Sequence, residues 1–222
     1  MLLKWIQCEV EADHRQAFNR AQTGWAPIRE MEGFLGQCGG WQARDQDSSS
    51  ACILGLWRSP QHHEDFLTTG PHDAIMARNG QGETMRSWRT LLFSTLFAMP
   101  GDFPDLVQAL EKAPVDAFLR VADCAVSTER SMAFRTAQEQ IWLPAMRDSE
   151  GMLGGLFSLE EPDRFLVATL WKSEAHHQAY VEGILPGCRE RVAAMGGEPD
   201  RLTGAAFPLE SQWTIPRARA NG

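Results

Sequence analysis

The sequence is short of most features that announce a function. Its 222 residues carry 21 Lys and Arg against 29 Asp and Glu, a formal net charge of −8. A phosphate-binding surface needs clustered cations, so no nucleic acid is expected as a partner. The same balance speaks against attraction to anionic lipid. No apolar run approaches membrane-span length, so no membrane partner is expected either. The five cysteines, Cys8, Cys38, Cys52, Cys124 and Cys188, are odd in number and include no Cys-x-x-Cys pair. That is neither a disulfide framework nor a zinc site. Met1-Leu2-Leu3-Lys4-Trp5 lacks the long apolar region of a signal peptide. A reduced, cytoplasmic protein is the expectation. Gly36, Gly39 and Gly40 make no phosphate-binding fingerprint before a helix. No Gly-x-Ser-x-Gly elbow occurs, and no Cys stands beside an evident His base.

What the chain does have is a repeat. Leu56-Trp57-Arg58-Ser59-Pro60-Gln61-His62-His63-Glu64-Asp65-Phe66 returns 114 positions later as Leu170-Trp171-Lys172-Ser173-Glu174-Ala175-His176-His177-Gln178-Ala179-Tyr180. Leu, Trp, Ser and both His are identical. Each copy reads as the end of a buried strand, a Ser cap and the start of a helix. Phe118 to Val126 matches Leu2 to Val10, and Gly151-Met152-Leu153-Gly154 echoes Gly33-Phe34-Leu35-Gly36. The chain is therefore two copies of one unit. The boundaries read as a first repeat over 1–98, a Pro- and Gly-punctuated linker over 99–116, a second repeat over 117–216 and a loose tail over 217–222.

Each copy spells strand, helix, strand, strand, helix, strand. Leu3 to Val10 alternates as a strand, and Asp13 is expected to cap a helix whose stripe is Phe18, Ala21, Trp25 and Ile28. Pro27 should break or kink that helix. Arg44 to Ser50 reads as a polar hairpin loop. Gly70-Pro71 should interrupt the helix that Ser59 starts, and Asn79-Gly80 should end its continuation. Leu202 to Ile215 reads as the last strand. The order is ferredoxin-like and the class α+β. Ala51 to Trp57 and Phe165 to Trp171 are apolar at nearly every position, the mark of strands buried on both faces. Two ferredoxin-like sheets facing one another would bury them, as one pseudo-dimeric α/β barrel of antiparallel sheets.

At this point the residues meet a known pattern. The unit, with Trp-x-Ser before its second helix, resembles the dimeric α/β-barrel superfamily, which includes antibiotic-biosynthesis monooxygenases and IsdG-type haem oxygenases. Met1 to Cys8 and Gly33-Phe34-Leu35-Gly36-Gln37-Cys38-Gly39-Gly40-Trp41 are more closely similar to the YdbC-like family of uncharacterised bacterial proteins. In the superfamily two chains usually pair; here one chain carries both halves, and a further homodimer stays open. The resemblance implies a cofactor-independent monooxygenase acting on a small apolar or aromatic molecule. It also admits a haem-binding or haem-degrading protein, and a non-enzymatic module for a small molecule or a protein.

The candidate residues follow. His72 comes just after the Gly70-Pro71 break; the superfamily often places a cavity-facing His on this helix, which implies proton transfer or, in the haem reading, axial ligation. A capping or surface His is the competing account. Gln7 and Asp123 occupy one position of the first strand in the two copies. If the face of Trp5, Gln7 and Glu9 lines the barrel, both are polar groups inside it, and Asp123 in an apolar cavity could act as a base. Trp5, Trp41 and Trp57 offer an aromatic lining for a flat ligand, though buried indoles more often make ordinary core. The pairs His62-His63 and His176-His177 suggest no metal, because adjacent helical side chains point about 100° apart. Their presence in both copies fits packing or capping.

Overall fold

The computed structural model describes residues 1–43, 48–160 and 162–218 of the chain. The class is α+β, and the chain divides into two compact units, Met1–Leu92 with Leu209–Gly222, and Phe93–Pro208.

The first unit contains β1 (Leu2–Glu11), α1 (Arg15–Thr23), β2 (Phe34–Ala43), β3 (Ser48–Trp57), α2 (Pro60–Thr68), α3 (Pro71–Asn79) and the start of β4 (Ser87–Pro100). Its strands order as β4-β1-β3-β2, the ferredoxin-like arrangement. The expected sheet register is clean: Leu2 pairs with Trp57, Lys4 with Gly55 and Ile6 with Ile53. Directly paired residues share a face, so Leu2, Lys4, Ile6 and Cys8 look to one side of the sheet and Leu3, Trp5 and Gln7 to the other. Leu3, Trp5, Leu54 and Leu56 are buried on that second side, so these strands are indeed apolar on both faces.

The helix punctuation follows the chemistry of its residues. Ser59 Oγ accepts from the His62 amide, and Pro60 takes the first helical position, where no amide hydrogen is needed. Gly70, at φ 102°, turns the chain from α2 into α3, and Gly80, at φ 60°, ends α3. α1 stops at Thr23, and a short 3-10 turn, Ala26–Glu30, carries Pro27. The expected Asp13 cap does not form: a 3-10 turn over Ala12–His14 precedes α1, whose start has no side-chain cap. Of the hairpin loop expected over Arg44 to Ser50, residues 44–47 lie outside the described residues, with β2 and β3 on either side.

The second unit contains the rest of β4, a short α4 (Leu106–Glu111), β5 (Phe118–Ala125), α5 (Thr128–Ala137), α6 (Leu143–Arg147), β6 (Met152–Glu160), β7 (Arg164–Trp171), α7 (Glu174–Gly183), α8 (Leu185–Ala194) and β8 (Arg201–Pro208). Its order is β8-β5-β7-β6 with β4 beyond β6, the same ferredoxin-like arrangement. Pro144 lies inside a helical stretch, and a π-turn over Gln138–Trp142 absorbs the carbonyl that a proline ring would strike. The core centres on Phe134, Phe157 and Phe165, the last two stacked at 5.4 Å.

The end of the chain departs from expectation. Leu202 to Ile215 is not one strand. β8 stops at Pro208, a 3-10 turn follows over Ser211–Trp213, and β9 (Ile215–Pro216) pairs with β2. Segment 209–216 thus packs in the first unit, with Trp213 against Phe18 and Trp41. Each β2-type edge is covered, β2 by β9 and β6 by β4, which blunts unpaired strand edges. Neither ladder closes on itself among the described residues, so the expected barrel is not a closed ring of hydrogen-bonded strands.

Candidate functional site

A cavity of about 160 Å³ lies in the first unit, on the face of the sheet that carries Lys4 rather than Trp5. Its floor is one row of three strands in register: Lys4 on β1, Gly55 on β3 and Gln37 on β2. The missing side chain of Gly55 hollows the floor between two polar neighbours. Ile6, Cys8 and Ile53 extend it as an apolar shelf, and Trp57 borders it. Gln22, Trp25 and Ile28 come from α1 and the turn after it; Phe66, His72 and Met76 come from α2 and α3. At the rim stands Trp88, 65 % exposed at the start of β4.

His72 therefore lines the cavity, as the sequence suggested. Its ring lies 5.7 Å from Trp25 and 5.5 Å from Phe66, and its Nδ1 is 2.9 Å from Asp73 Oδ1. That contact fixes the imidazole's orientation and holds one ring nitrogen on the outer, polar side. Trp57 is also where expected, packed at 5.4 Å on Phe34 and 5.1 Å on Phe66.

The other expected residues lie elsewhere. Gln7 and Trp5 are on the opposite face of β1, one position out of phase with the cavity row. Trp41 packs with Phe18 and Trp213 beneath Arg15, and its Nε1 donates to Asn19 Oδ1 at 3.2 Å. Asp123 belongs to the second unit. Arg164 grips it through two hydrogen bonds, Nε to Oδ1 at 2.7 Å and Nη2 to Oδ2. Both carboxylate oxygens are thus taken up by one guanidinium, which leaves no free base in an apolar pocket. The first unit's cavity thus unites His72 and Trp57 but not Gln7, Trp5, Trp41 or Asp123.

The duplicated histidines have structural work in both copies. His62 Nδ1 lies 2.6 Å from Ser59 Oγ, and His176 Nδ1 lies 2.8 Å from Ser173 Oγ. The next residue, His63 or His177, packs edge-on to Trp57 or Trp171 at 5.5 and 5.6 Å. Burial pulls both imidazoles down to about 4, with help from Lys4 and His72 for His63 and from Arg120 for His177.

Sequence reasoning missed three cavity residues. Lys4 is the first of them. Its ammonium lines the cavity with no carboxylate in ion-pair contact among the described residues, and burial pulls it down to about 8. Gln22 and Gln37, 3 % and 7 % exposed, present Oε1 and Nε2 respectively without a partner among the described residues. Buried amides left open are uncommon and call for an account. The readable signal was the lone Lys in the apolar run Leu2 to Ile6.

The cavity segment has relatives in sequence. Residues 2–93 match a family described as a domain of unknown function, DUF4937. An uncharacterised protein of Bacillus subtilis (strain 168), YdbC, is 33% identical over 81 residues, which is 36% of this chain and 67% of the relative. The chain belongs to the YdbC family. The span 2–93 that matches DUF4937 contains every residue that lines the cavity. Solved structures resemble nearly the whole chain. A candidate monooxygenase from Fusobacterium nucleatum subsp. nucleatum ATCC 25586 superposes with a TM-score of 0.77 at 10% identity, covering 98% of this chain and 94% of that one. Another, from Lactobacillus acidophilus NCFM, gives 0.67 at 12% identity, covering 98% and 99%. An anthrone oxidase-like protein gives 0.63 at 12% identity, covering 98% and 94%. At these identities the likeness establishes the fold, which is that of ferredoxin-like, monooxygenase-type proteins.

Proposed function

We propose that the first unit is a cofactor-independent monooxygenase for a small, flat, mainly apolar molecule with an aromatic ring. The observation that carries this reading is the cavity itself: about 160 Å³, walled by Trp25, Trp57 and Phe66, with His72 on its lining. An apolar cavity of about 150 Å³ is enough to hold one benzene ring. An oriented imidazole on the wall of such a cavity is suited to proton transfer.

An electron-rich ring, such as a quinol, supplies every electron this chemistry needs. Dioxygen is the co-reactant. One oxygen atom forms a new ring C–O bond and the other leaves as water, while the quinol becomes a hydroxyquinone. His72 takes the proton released when the C–O bond forms. Trp25 and Phe66 hold the imidazole beside the ring, and the apolar shelf of Ile6 and Ile53 keeps water from the oxygenated intermediate. The fold likeness to a candidate monooxygenase and to an anthrone oxidase-like protein supports this class of reaction without fixing the substrate.

A volume of about 160 Å³ is below the roughly 300 Å³ of sites for drug-sized ligands, which favours a single-ring molecule over a porphyrin in this cavity.

Oxygen uptake with a panel of single-ring quinols and phenols tests the proposal. Wild type should consume oxygen with at least one member and place one labelled oxygen atom in the product. His72→Ala should lose at least a hundredfold in turnover, the scale of one general acid–base group, with its melting temperature little changed. Turnover unaffected by His72→Ala removes His72 from the mechanism. A ligand that binds the cavity without any oxygen uptake leaves a binding module.

A further inference from the structure

The two units answer the same packing problem differently. In the second unit the row across the sheet reads Arg120, Thr169, Gly155. In the first it reads Lys4, Gly55, Gln37. Thr169 is fully buried, and its Oγ1 accepts a hydrogen bond from Trp171 Nε1 at 3.1 Å. Trp57 is the counterpart of Trp171, but Gly55 offers its indole nothing to donate to. A Cβ placed on Gly55 would lie 3.9 Å from Trp57 Nε1 and 3.8 Å from Lys4 Cβ, with no clash. The first unit has left out the oxygen that the second unit builds in.

The groups around that gap are donors. Lys4 brings an ammonium, Gln37 an amide Nε2 without a partner among the described residues, and Trp57 an indole N–H. No Asp or Glu lines the cavity among the described residues. The other titratable groups near Lys4 are His72 on α3 and His63 on α2, both potential cations, and Cys8 on β1, whose thiol burial pushes up to about 12. The elements β2, β3 and α1 face it with Gln37, Gly55 and Gln22, none of them charged. The Asp73 carboxylate meets His72 Nδ1 at 2.9 Å but is not among the residues that line the cavity. Gln22 Oε1 waits on the far wall as an open acceptor.

We infer that Lys4, Gln37 and Trp57 form an oxyanion site over Gly55, and that its ligand is a single-ring aromatic molecule bound through an ionised hydroxyl group. The inference rests on the reading of this cavity as a substrate site and names the substrate class: phenolates and quinol monoanions, with a second hydroxyl donating to Gln22 Oε1. Ionisation also raises the ring's electron density, the condition under which a ring gives an electron to dioxygen. Preorganised donors in a dry site hold such an anion far better than they would in water. A largely desolvated ammonium with no ion-pair partner among the described residues is otherwise a cost to the fold.

Pentafluorophenol is the probe: one ring, and an anion throughout the neutral and alkaline range. Hexafluorobenzene is its neutral match in shape. Fluorine NMR titration gives both affinities for wild type and for Lys4→Met, which keeps an unbranched apolar stem and removes the charge. Wild type should bind the phenolate at least tenfold more tightly than Lys4→Met, and both should bind hexafluorobenzene within about twofold. Equal phenolate affinity in the two proteins overturns the inference. If Lys4→Met loses hexafluorobenzene as well, its cavity has changed, and the pH dependence of the wild type decides. Affinity for the phenolate should fall about tenfold between pH 7 and pH 9 as Lys4 loses its proton; a flat profile overturns the site. Phenolate binding without oxygen uptake keeps the site and removes the oxygenase. Oxygen uptake untouched by Lys4→Met keeps the oxygenase and removes the site.

Discussion

Lys4 and Gln37 face one another across Gly55, all three in one row of paired strands. Gly55→Thr should therefore convert the first unit's floor into the second unit's. The new Cβ meets only ordinary contacts, and the new hydroxyl can accept from Trp57 Nε1 as Thr169 does from Trp171. A β-branched residue also suits a strand better than glycine, by up to about 1 kcal/mol. The variant should melt at or above the wild-type temperature yet lose binding of hexafluorobenzene. Retained binding with full affinity would show that the hollow over Gly55 is not where the ring sits.

Gly33 and Gly151 precede the two repeats' β2-type strands at φ 76° and 82°, and a Cβ on either would enter the ring of His62 or His176. The histidine is in turn held by its serine cap. Alanine at either position meets two penalties, a left-handed backbone costing about 1–2 kcal/mol and a displaced imidazole. Gly33→Ala and Gly151→Ala should each lower stability by about 2 kcal/mol or more, measured as a shift in denaturant midpoint. Replacing His62 with Ala in the Gly33→Ala background should recover part of that loss, because the ring is one of the two obstacles.

Much of the architecture was readable because the repeat repeats its punctuation. Ser59 and Ser173, Gly70, Gly80 and the apolar strands each act locally, through a cap, a positive φ or a period of two. The site was less readable for the same reason. Which face of β1 borders a cavity depends on what packs there, so the alternation of β1 led to the face of Gln7, whereas the register with Gly55 puts Lys4 at the cavity. Asp123 looked like a lone acid because its partner, Arg164, is 41 residues away on β7. The pairing of β9 with β2 had no local signal at all, since a two-residue strand is fixed entirely by its neighbours.

The ion pair of Asp123 with Arg164 gives a sharp contrast between units. Both side chains are largely buried, at 9% and 14% exposure. Removing one charge from such a pair leaves the other without compensation, at a cost of about 3–5 kcal/mol. Asp123→Asn should therefore lower stability by an amount on that scale, softened where Glu160, 3.8 Å from Arg164, takes part of the charge. Affinity of the first unit's cavity for hexafluorobenzene should stay within about twofold of wild type. Loss of oxygen uptake in a stably folded Asp123→Asn protein would restore Asp123 as a base and contradict its assignment to structure.

His63 and His177 set the response to acid. Both are held near 4, below the ordinary histidine value of 6.5, chiefly because burial disfavours the charged ring. Between those values the unfolded chain binds more protons than the folded one. Stability present at neutral pH is therefore lost as pH falls from about 6.5 toward 4. A gap of that size corresponds to at most about 3 kcal/mol for each residue. His63→Phe and His177→Phe keep a flat ring against Trp57 and Trp171 without the titrating group. Denaturant midpoints measured at pH 7 and pH 4.5 should show a smaller acid loss in each variant than in wild type, and the smallest in the double variant. Lys4→Met should also soften the loss, because it removes one of the positive charges that press on His63. It should leave the contribution of His177 alone, since Arg120 plays that part in the second unit. An acid loss in His63→Phe equal to that of wild type would mean that His63 is not held neutral by its burial, and would place the acid sensitivity in the carboxylates instead.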